Sequence, residues 1–104
     1  MFIVTTNEVP GKKIVEYCGL CKGTTVHTKH VGKDILAGFR TIIGGEIKVY
    51  TELMDNARKV AIERLEEDAK KLGANAIVAM RLSTSAVMAG ASEVIAYGTA
   101  VKVK

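Results

Sequence analysis

The sequence has no tryptophan, a single proline and only 5% aromatic residues, which leaves little of the stacking surface that single-stranded nucleic acid uses. It has no basic run longer than two residues, so it lacks the basic stripe or tail of an electrostatic nucleic-acid binder. The longest uncharged run, Leu82 to Ser92, is eleven residues, against the roughly 20 that a membrane helix needs. Met1 to Glu8 shows no basic region followed by a long apolar stretch, the pattern of a secretory signal. These absences predict a cytoplasmic protein with neither membrane nor nucleic acid as partner. In that compartment its two cysteines stay reduced.

Catalytic signatures are missing as well. There is no G-x-x-x-x-G-K-[ST], no strand-borne G-x-G-x-x-G, no G-x-S-x-G and no H-E-x-x-H, so neither a phosphate loop nor a nucleophile–base arrangement can be assembled. Gly44-Gly45 suits helix punctuation better than an anion site, and no anion-binding residue is assigned. Tyr17, Tyr50 and Tyr97 read as packing residues with a polar tip. The expectation is a protein that is not an enzyme.

What remains describes a small globular domain. Its 104 residues are 48% hydrophobic and 25% charged, enough for one core and one domain over residues 1–104. The net charge is +4; residues 1–45 hold six bases against three acids, whereas residues 46–72 hold seven acids and six bases.

Phe2–Thr6 is a short strand-like run, and Pro10-Gly11 marks a turn. Lys13–Thr28 reads as a strand, with Gly19 and Gly23 as points of bulge or bend. In residues 33–43 the pattern Ile35, Leu36, Phe39, Ile42, Ile43 predicts a short helix opened by Asp34. Residues 46–72 predict a long helix with Leu53, Ala57, Val60, Ala61, Leu65, Ala69 and Leu72 inward, and Gly73 as its stop. Asp55–Lys59, Glu66–Lys70 and Glu67–Lys71 are acid-before-base pairs on its outer face. Strands follow at 75–84 and 93–104, joined by a small-residue link at 85–92 that is expected to be mobile. The order β-β-α-α-β-β predicts an α+β fold, an antiparallel sheet packed on one long and one short helix.

Both faces of that sheet are largely apolar or small: Ala76, Val78, Met80 and Leu82 against Ile77, Ala79 and Arg81, and Ile95, Tyr97, Val101 and Val103 against Val94, Ala96 and Ala100. An antiparallel sheet covered on one side alternates apolar and polar residues instead. A single helical layer covers one face, so the other is expected to pack on copies of the same chain.

Cys18 and Cys21 form C-x2-C, and His27 and His30 form H-x2-H. These are ligand types for zinc and softer metals. In a regular strand, residues three apart lie about 10 Å apart and face opposite ways. Cys18 and Cys21 therefore share an ion only if the glycines reshape the segment. Otherwise the cysteines are small apolar residues and the histidines polar strand-end residues. The candidate metal ligands are Cys18, Cys21, His27 and His30, with zinc or another borderline or soft ion as cofactor.

Four segments together resemble the YbjQ-like family of small prokaryotic proteins: Ile35–Gly45 (ILAGFRTIIGG), Tyr50 with Ala57-Arg58, Leu72–Val78 (LGANAIV) and Tyr97–Val101 (YGTAV). The resemblance implies a dodecin-subunit-like α+β fold, a homopentameric ring and a heavy-metal-binding role. The family pattern carries small or aliphatic residues where this chain has Cys18-Gly-Leu-Cys21, so the thiol pair is this chain's own feature. The functional expectation is a homo-oligomeric module that binds a heavy metal or small ligand. The alternative is a ring-shaped scaffold that presents the charged helix face to a protein partner.

Overall fold

The computed structural model describes residues 1–28, 48–88 and 91–104. Its elements are β1 (Phe2–Ile3), β2 (Ile14–Thr28), a helix α1 (Lys48–Lys71), β3 (Ala76–Met88) and β4 (Ala91–Val103). The strands form one sheet in the order β1-β3-β4-β2. β4 runs antiparallel to both β2 and β3, and β1 pairs in parallel with β3 through Phe2↔Ala76 and Ile3↔Ile77. The fold is thus α+β as expected, with a mixed rather than purely antiparallel sheet. The short helix expected at 33–43 and the Gly44-Gly45 pair lie outside the described residues.

The local chemistry explains the framework. Lys12 N–H donates to Val9 C=O at 3.0 Å, and Gly11 has φ 78°. This is a turn with Pro10 and a left-handed glycine at its centre, matching type II. At the helix end, Gly73 N–H donates to Lys70 C=O and Ala74 N–H to Ala69 C=O. With Gly73 at φ 83°, this pair of bonds is a Schellman cap.

The helix lies on one face of the sheet, chiefly over β2 and then β4. Its buried stripe is Met54, Ala57, Ala61, Leu65 and Ala69. Leu53 and Val60 are only half-buried and Leu72 is exposed, so the stripe is rotated from the expected one. Alanine-rich packing brings the helix backbone down onto β2. A Cβ on Gly23 would fall far inside contact distance of Ala61 O and Leu65 N, and 2.8 Å from Arg64 C. Gly23 is therefore the seat of the helix and not a bend in the strand. Two helix side chains also reach β2. Lys22 N–H donates to Asp68 Oδ2 at 2.9 Å, and Arg64 donates to Thr24 C=O at 2.6 Å. On the outer helix face Glu66 pairs with Lys70 as expected, whereas Asp55 pairs with Arg58.

A second cluster lies on the opposite face. Val9 from the N-terminal turn packs with Ala76, Val78, Val101 and Val103, and with Val4 and Ile14 at its margin. The N-terminal segment thus covers one end of the face that the helix leaves bare.

The link expected at 85–92 is mostly strand. β3 runs to Met88 and β4 begins at Ala91, paired through Ser85↔Glu93, Ala86↔Ser92 and Met88↔Ala91. Small residues of weak strand preference are held there by the ladder to β4.

Candidate functional site

Cys18 and Cys21 sit in the middle of β2. The pairing of β2 with β4 slips between Tyr17↔Val101 and Gly19↔Ala100, so Cys18 is the extra residue of a β-bulge. Gly19 carries φ 120°, a conformation that a residue with a side chain rarely adopts. After the bulge the alternation resumes, with Leu20 outward and Cys21 opposite Gly98 on the helix face.

The bulge absorbs one residue of the pleat. Cys18 and Cys21, three apart in sequence, therefore both turn to the helix face, between two and three strand steps apart, about 7–10 Å. Cys21 belongs to the helix-side core and Cys18 is partly buried against it. The irregularity that the sequence placed at Gly19 is therefore a β-bulge.

Their surroundings differ. Cys21 is fully buried, and its Sγ donates to Gly98 C=O at 3.5 Å. Burial, and secondarily the Asp68 carboxylate, push its thiol above the ordinary range. Near Cys18 stands Lys102, which bonds Glu16 at 3.0 Å. The Glu16 carboxylate is the main cause that raises the Lys102 ammonium, with a smaller contribution from Cys18. Both cysteines are free thiols.

The raised Cys21 value gives a sign for stability against pH. The unfolded chain loses this proton first, so the contribution is whole below about pH 8.5 and is lost as pH climbs through the folded value. Urea midpoints are expected to fall between pH 8 and pH 10, and to fall less in Cys21→Ala. Equal slopes in the two proteins would refute the assignment.

His27 stands on the same strand, opposite Ser92. Six residues of extended chain separate it from Cys21, about 20 Å, so one ion cannot take both from a single chain. His30 lies outside the described residues. Among the described residues no group of three or more His, Cys, Asp or Glu side chains converges to hold a metal. The sequence reading missed Asp68 and Lys102 beside the thiols. Only the β2–β4 register and the helix placement bring them there, and no spacing along the chain signals it. Among the described residues, no helix is long and apolar enough to cross a membrane.

Comparison with known proteins adds a frame. The family model YbjQ_1, described as "Putative heavy-metal-binding", matches residues 1–104. A UPF0145 protein of Thermosipho melanesiensis is 58% identical over 102 residues, covering 98% of this chain and 94% of its own. One from Dehalococcoides mccartyi is 58% identical over 104 residues and the full length of both chains. One from the archaeon Methanosarcina acetivorans is 50% identical over 103 residues, 99% of this chain and 97% of its own. A crystal structure from Pediococcus pentosaceus, of a DUF74-family protein of unknown function, superposes with a TM-score of 0.62 at 18% identity. It covers 100% of this chain and 98% of the other, a likeness of fold alone.

Proposed function

The chain belongs to the YbjQ-type family along its whole length, and we propose that it is a non-catalytic, homo-oligomeric module that binds a heavy metal ion or small ligand, with Cys18 and Cys21, a feature of this chain and not of the family pattern, as its own candidate ligands. The observation that supports this reading is the bulge at Gly19, which puts two free cysteines on the helix face of the sheet. Thiolates are the protein ligands that soft and borderline metals prefer.

Self-association is part of the same reading. Beyond the patch under Val9, the face away from the helix carries Tyr17, Leu20, Val26 and Tyr97 in the open, with Tyr17 71% and Leu20 72% exposed. Sheet faces with large exposed apolar side chains mark contact surfaces. Copies of this chain, in a closed ring of the kind the family resemblance implies, would bury them.

Two measurements test the two parts. Protein purified under reducing conditions without chelator is expected to retain metal that Cys18→Ser loses. Equal metal content in both would remove the cysteines from the function. Light scattering is expected to give a multiple of the 11.1 kDa chain mass, five for a pentamer. A stable single-chain particle would end the oligomeric part.

A further inference from the structure

We draw no further inference here: the strongest candidate, the row in which Tyr97 of β4 stands between Lys22 of β2 and Arg81 of β3 on the sheet face away from the helix, carries nothing further, because Arg81 Nη1 donates to the Thr5 and Met80 carbonyls and nothing among the described residues shows what covers that face.

Discussion

Gly23→Ala is expected to lower the thermal midpoint by about 12 °C or more, equivalent to ~3 kcal/mol or more in a domain of this size. The added methyl meets the helix backbone at Ala61, Arg64 and Leu65 and not a flexible side chain, so no rotamer change relieves it. The helix must lift from β2. In lifting it breaks the Lys22–Asp68 and Thr24–Arg64 bonds and loosens the core around Cys21. Net stabilities of ~5–15 kcal/mol leave little reserve for such a loss. A midpoint within about 2 °C of the wild type, which is under ~0.5 kcal/mol, would show that the helix does not sit on Gly23.

Leu65→Ala is expected to cost about 2–5 kcal/mol, as large-to-small changes at buried sites do. Leu65 is 0% exposed at the centre of the helix–sheet core. Leu72→Ala, at a position 42% exposed, should stay within about 0.5 kcal/mol. Denaturant midpoints for the pair check the orientation of the helix. Similar losses from both would mean that the inward stripe extends to Leu72, as the sequence periodicity suggested.

That contrast marks how far sequence reasoning reaches. The existence of the long helix, the cap at Gly73, the turn at Pro10-Gly11 and a strand over Lys13–Thr28 follow from periodicity and local chemistry, and the structure has all four, the strand beginning at Ile14. The exact inward face of the helix does not follow, because Leu53, Val60 and Leu72 are as apolar as Met54 and Leu65. The choice is made by where Gly23 lets the helix approach. The strand character of residues 85–88 and 91–92 was hidden for a related reason. Their small side chains have weak preferences, and the partner strand imposes the conformation. The second cluster under Val9 was missed because a turn segment carries no periodic signal that it will fold back over the sheet.

The candidate site was legible in composition and not in geometry. C-x2-C and the two histidines are plain in the sequence, and Gly19 was marked as a point of irregularity. Whether the irregularity turns Cys18 toward Cys21 or away depends on which residue of β2 is left without a partner on β4. That is a matter of register. The neighbours Asp68 and Lys102 come from sequence-distant elements and are visible only once α1 and β4 are in place.

The bonds from Asp68 and Arg64 to Lys22 and Thr24 also bear on how the outer margin of β2 can be approached by another strand. A strand at the margin of a sheet offers its unpaired amide and carbonyl groups as a template for another chain. Here the helix occupies one donor and one acceptor midway along that margin. An incoming strand that tried to zip along β2 would have to evict both side chains, one of them charge-assisted at each bond. At these two groups the margin of β2 is already occupied by the chain's own helix.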